Sequence, residues 1–186
     1  MNTKQEVIDF LKEHVKEKPN LEHSLMVGYG LLGVAKHLQK SEEEQHEWFK
    51  IGTLHDIDIE KYEGDMNQHG LVGEKILKQQ GVSQHIIHSI KSHNDCLNIK
   101  REKDVEHALY SVDGLTGIIR AYVLMRPDKD IKQAKVSSIK KKLKDKTFAS
   151  AIKREEIYLA EKTLNLPIDR FIEIVLNEIK IGINFI

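Results

Sequence analysis

Apolar positions recur every three or four residues along nearly the whole chain, and strand-like alternation of apolar and polar positions is almost absent. The pattern predicts helices near 3–16, 20–39, 43–55, 67–80, 83–94, 102–126, 130–143, 152–164 and 168–182. Asn20, Ser41 (with Glu44 three residues on) and Ser83 stand where helix N-caps belong. Gly81 fits a helix end, Pro127 a stop for the long helix before it, and Pro167 the start of another. With no repeat, low-complexity run or linker, the expectation is an all-α fold in a single domain over residues 1–186.

Composition keeps that picture and narrows the partners. The 186 residues suffice for one sizeable core, and 40% hydrophobic with 31% charged residues is the balance of a soluble globular protein. A formal net charge of zero argues against a general nucleic-acid binder. That zero hides a split: residues 41–65 hold nine acids against two lysines, and residues 126–154 hold eleven bases against three acids. Segments attractive to a metal and to phosphate are therefore different parts of the chain. The single cysteine, Cys96, allows no intrachain disulfide, suits a reducing cytoplasm, and is expected to serve packing. No apolar run approaches the roughly 18 residues of a membrane span. The amphipathic start, Met1 to Val7, reads as helix and not as a signal peptide.

Candidate chemistry centres on the adjacent pair His55 and Asp56, at the end of an apolar stretch. Imidazole and carboxylate are both metal ligands, but neighbours on a helix point about 100° apart. Both can reach one ion only if distant partners complete the site. Four other segments offer such partners. His23 lies one turn into the second helix, on a stripe with Met26, Val27, Gly30 and Val34, where Gly30 and Gly33 let another helix come close. His69 opens the fourth predicted helix, and His93 ends the fifth. Asp113 sits mid-helix among apolar residues, where a carboxylate needs a cation, whether a basic side chain or a metal. Singly, each histidine is also compatible with a hydrogen-bonded structural role, and Asp113 with an ion pair.

In order along the chain, these residues resemble the HD-domain superfamily of metal-dependent phosphohydrolases, over roughly residues 20–125, with residues 126–186 as a C-terminal helical extension. The minimal family pattern falls on His23, His55, Asp56 and Asp113, and members with two metals add histidines that fall here on His69 and His93. The resemblance implies a helical bundle in which Asp56 bridges two ions, with His23, His55 and Asp113 on one and His69 and His93 on the other. The segments His55–Tyr62, Val112–Gly117 and Val136–Lys142 are similar to one subgroup of short prokaryotic HD proteins.

Histidine and carboxylate donors without thiolate suit one or two divalent transition ions, Mn, Fe, Co, Ni or Zn, and Mg less well. The implied reaction is hydrolysis of a nucleotide or other small phosphorylated metabolite by a metal-activated water. Asp56 and Asp58 are the expected catalytic residues. Many relatives carry glycine where this chain has Asp58, which either orients a ligand or water or is a surface acid. Arg120, two turns beyond Asp113, and Lys140, Lys141 and Lys142 are the candidate substrate-binding cations, although a lysine run also reads as a solvated helix face. Lys91 and Asn94 lie near His93. The same ligand set also serves di-iron oxygenases of this fold, and a non-catalytic, nucleotide-sensing domain is the third reading.

Overall fold

The computed structural model describes residues 1–182. Among them every regular element is helical: α1 (Lys4–His14), α2 (Lys18–His37), α3 (Glu42–Leu54), α4 (Leu71–Gln79), α5 (Gln84–Lys91), α6 (Asp104–Met125), α7 (Val136–Lys144), α8 (Arg154–Thr163) and α9 (Ile168–Gly182), with short 3-10 turns at Asp95–Leu97 and Ile131–Gln133. The all-α expectation holds. None of the described helices is long and apolar enough to cross a membrane.

The bundle is organised around α2, which is buried on every side from Ser24 to Ala35 and packs against α3, α6 and α9. A helix apolar all round belongs at the centre of a core. Its small residues allow that. A Cβ on Gly52 of α3 would lie 2.8 Å from the Val27 carbonyl and 2.9 Å from the Gly28 Cα. The two backbones therefore cross at a separation that only glycine permits. Gly30 faces Val112 of α6 and Val175 of α9, and Gly33 faces Ile174 and Glu178 of α9. The close approach expected at Gly30 and Gly33 is present.

Several termini follow the local rules. Ser41 and Glu44 form a reciprocal capping box on α3, with Glu44 N donating to Ser41 Oγ at 3.3 Å and Ser41 N to Glu44 Oε2 at 2.9 Å. Gly81 (φ +74°) ends α4 as its left-handed residue, with Val82 N on Leu77 O and Gly81 N on Lys78 O, both at 3.0 Å. Ser83 occupies the N-cap of α5 but makes no side-chain cap bond.

Other boundaries moved. The second helix begins at Lys18, so Asn20 lies inside its first turn, because Pro19 is pre-organised for that position. The cap comes from far away: Glu60 Oε1 accepts from Glu17 N at 2.8 Å and its Oε2 from Lys16 N at 3.0 Å. The helix expected over 67–80 spans only Leu71–Gln79, since Gly70 (φ +86°) is left-handed and residues 55–70 form successive turns. The helix expected at 130–143 starts at Val136, because Asp130 Oδ1 accepts from Lys132 N at 2.9 Å and closes a separate short turn. Cys96, expected in packing, is exposed.

Candidate metal centre

Four helix-derived positions and one run of turns converge on Asp56. The Gly28–Gly52 crossing brings the first half of α2, with His23, beside the end of α3, where His55 is the C-cap residue. His55 is 1% exposed, and its Nδ1 donates to the Gly52 carbonyl at 2.8 Å. A carbonyl only accepts, so the proton is on Nδ1 and the lone pair on Nε2. That Nε2 is buried and finds no hydrogen-bond partner among the described residues.

His69 and His93 are held the same way. His93 follows the end of α5, and its Nδ1 donates to Ile90 O at 2.5 Å. His69 precedes α4 and does not open it, and its Nδ1 donates to Asp58 Oδ1 at 2.9 Å. Asp58 Oδ2 accepts from the Gly70 and Gly73 amides, both at 2.7 Å, so its carboxylate also caps α4. Asp58 is fully buried, which rules out the surface-acid reading. Asn94 fixes the same segment, donating to His69 O at 2.9 Å and Met66 O at 2.7 Å.

The carboxylate of Asp56 has a different company at each oxygen. Oδ2 lies 3.3 Å from His55 Nε2 and 3.8 Å from His23 Nε2. Asp113 Oδ1 joins that side, 3.0 Å from His23 Nε2 and 3.9 Å from His55 Nε2. Oδ1 lies 3.2 Å from His69 Nε2 and 3.6 Å from His93 Nε2. Two ligand groups able to hold a metal ion follow, His23, His55 and Asp56 on one side and Asp56, His69 and His93 on the other. The structure thus brings all six residues singled out in the sequence to one place.

The electrostatics call for positive charge. Burial pushes the Asp56 carboxyl up, but the crowd of imidazoles around it, His55 first and then His69 and His93, outweighs burial and holds it well below the usual carboxylate range. Burial likewise raises Asp113 and Asp58, and the hydrogen bond from His23 in one case, and those from His69, Gly73 and Gly70 in the other, bring both below their ordinary value. Burial lowers His69, yet hydrogen bonds to Asp56 and Asp58 raise it to about 10. Without a metal, a proton occupies the place of a cation. The buried, unpartnered His55 Nε2 and the inward lone pairs beside Asp56 are what a divalent ion would satisfy, so the residues present fit the metal.

The candidate substrate cations part company. Arg120, two turns beyond Asp113 on α6, lines an open cleft of about 690 Å³ between α2, α6 and residues 129–131, together with Lys18, Glu22, Met26, Leu124 and Lys129. Its Nε is 3.9 Å from Glu22 Oε2. The structure does not bring the lysine run to the cleft. Lys140 pairs with Asp169 of α9 at 2.6 Å, Lys142 Nζ stands 4.7 Å from the Phe148 ring centroid, and Lys141 is exposed. The run follows the amphipathic face of α7, whose apolar side, Ile139 and Leu143, goes to the core. Lys91 is committed to Glu74 at 2.5 Å. Sequence reading missed the Glu22–Arg120 pairing and the Glu60 cap, because both join residues remote in the chain.

The family model of the HD domain matches residues 20–130. No curated protein and no solved structure matches the chain. The match covers more than half of the sequence and contains every residue of the cluster around Asp56, and the chain belongs to the HD-domain family.

Proposed function

We propose that this chain is a phosphohydrolase that uses two divalent transition metal ions and acts on a small phosphorylated metabolite. The observation that carries this reading is the division of imidazoles between the two oxygens of Asp56, with Oδ2 facing His55 and His23 and Oδ1 facing His69 and His93. His23, His55, Asp56 and Asp113 would hold one ion and Asp56, His69 and His93 the other. Imidazole and carboxylate favour Mn, Fe, Co, Ni or Zn over Mg. Bound there, such a metal supplies a Lewis acid for the phosphoryl oxygen and a more acidic water, with pKa lowered towards about 7.

The chain's own groups orient and exclude. The Gly52 and Ile90 carbonyls and Asp58 fix three imidazoles in the Nδ1–H tautomer, so that each presents a lone pair inward. Asp58 is thereby a positioning residue, acting through His69. His55, His69 and His93 form the closed floor, while His23 and Asp113, with 21% and 34% of their side chains exposed, form the open rim where substrate enters. Arg120, two turns beyond Asp113 on α6, supplies positive charge to a part of the substrate remote from the reacting phosphate. Packing of α9 on α2 and of α8 on α6 supports reading the HD core and the C-terminal helices as one domain.

The test is phosphate release from p-nitrophenyl phosphate by the purified, Mn-loaded protein. Turnover by wild type and its loss in Asp56→Ala supports the proposal. A requirement for oxygen, or metal-loaded protein that turns over nothing, rejects it.

A further inference from the structure

The two helices that carry the exposed residues of the cluster, His23 on α2 and Asp113 on α6, also wall a cleft. On α2, Pro19, Glu22 and Met26 flank His23, and on α6, Arg120, Val123 and Leu124 continue the face of Asp113. Its volume, about 690 Å³, is that of a site for a small organic molecule. Met26, Val123, Leu124 and Ile131 give it an apolar wall, and Lys18, Arg120 and Lys129 outnumber Glu22 and Asp130.

A phosphate held at the cluster does not explain that second set of cations. Asp113 and Arg120 are seven residues apart on one helix, a rise of about 10.5 Å. An apolar surface lies along the same cleft. Nor are the cations fully committed. The Arg120 Nε is buried and finds no hydrogen-bond partner among the described residues, and its distance to Glu22, 3.9 Å, is too long for a hydrogen bond. Glu22 is shared with Lys18, at 3.7 Å. One carboxylate between two cations is a weak neutraliser, which a doubly charged anion displaces.

We propose that the cleft binds a second anionic group on the substrate, so that the preferred substrates are phosphoesters whose alcohol part carries an apolar body and a further phosphate. Arg120 and Lys129 hold the distal phosphate, Met26 and Leu124 pack on the body, and Glu22 opposes binding by occupying Arg120 in the empty cleft. This inference rests on the phosphohydrolase reading for which phosphate reacts, but the cleft's preference is measurable without turnover.

The experiment compares adenosine 3′,5′-bisphosphate with adenosine 5′-monophosphate as probes, by calorimetric binding and by phosphate release, on Mn-loaded wild type, Arg120→Gln with Lys129→Gln, and Glu22→Gln. The expected result is at least tenfold tighter binding of the bisphosphate by wild type. That ratio should fall to about one in the double variant and rise in Glu22→Gln. A purely structural role for Glu22 would not tighten binding. Equal affinity of wild type for both probes overturns the inference, even if both are hydrolysed. A preference that survives in the double variant overturns it too. Preferential binding without turnover supports the cleft and rejects the phosphohydrolase reading instead.

Discussion

His69 and His93 face each other with their Nε2 atoms 2.9 Å apart, while their Nδ1 protons are committed to Asp58 and to the Ile90 carbonyl. Two lone pairs at that distance repel, and only a proton or a metal between or beside them makes the arrangement favourable. On the two-metal proposal, this pair with Asp56 would hold one of the ions. Replacing His69 or His93 by Ala should remove one of the two ions, so that metal analysis of dialysed protein falls from about two Mn per chain to about one. Retention of two ions by both variants would count against the assignment.

Asp58→Asn tests orientation from behind the ligand. The amide cannot accept equally well from His69 and from two backbone amides, and supporting partners of this kind are typically worth 10–100-fold in metal affinity. Mn titration should show a loss in that range at the His69 side. Asp58→Ala should also destabilise the fold by about 1–3 kcal/mol, because the Gly70 and Gly73 amides lose their acceptor. Denaturant unfolding of the metal-free proteins separates the two effects.

Gly52→Ala places a Cβ within 3 Å of the backbone of α2, where no flexible side chain can yield. Overpacking of this kind costs about 1–3 kcal/mol. It should also push His23 and His55 apart, so metal affinity should fall together with stability. A variant as stable as wild type, with unaltered affinity, would contradict the role given to the crossing.

Glu60 ties the turns after His55 to the start of α2. Burial raises its carboxyl, but hydrogen bonds from the Lys16 and Glu17 amides and Asn20 together outweigh it and bring it below the ordinary 4.5. A depressed carboxylate contributes stability above its unfolded value, and that contribution disappears as pH falls through the lower, folded value. Glu60→Ala should therefore cost about 0.5–1 kcal/mol at pH 7, and in parallel denaturant melts the difference from wild type should shrink as pH falls below 4.5 and disappear below the folded value. A gap unchanged at pH 3 would show that the carboxylate charge is not the cause.

What the sequence disclosed follows from the range of the forces involved. Helical periodicity and the Ser41 and Gly81 termini are set by residues within one or two turns, and they appear where expected. The six residues singled out by their order in the chain come together around Asp56. Residues 67–70, expected in the fourth helix, form turns instead, because Asp58 organises them by bonds to His69, Gly70 and Gly73, twelve or more residues on in the last two cases. Charge density along the chain says nothing of where a face points, and α7 directs Lys140 to Asp169.

The central claim is that Asp56 stands between two metal ions. Anomalous diffraction from crystals soaked in Mn tests it directly. The account predicts two peaks about 3.5–4 Å apart, one touching His23, His55 and Asp113, the other touching His69 and His93, with an Asp56 oxygen on each. A single peak with His69 and His93 turned away from it, or no peak at Asp56, would contradict it.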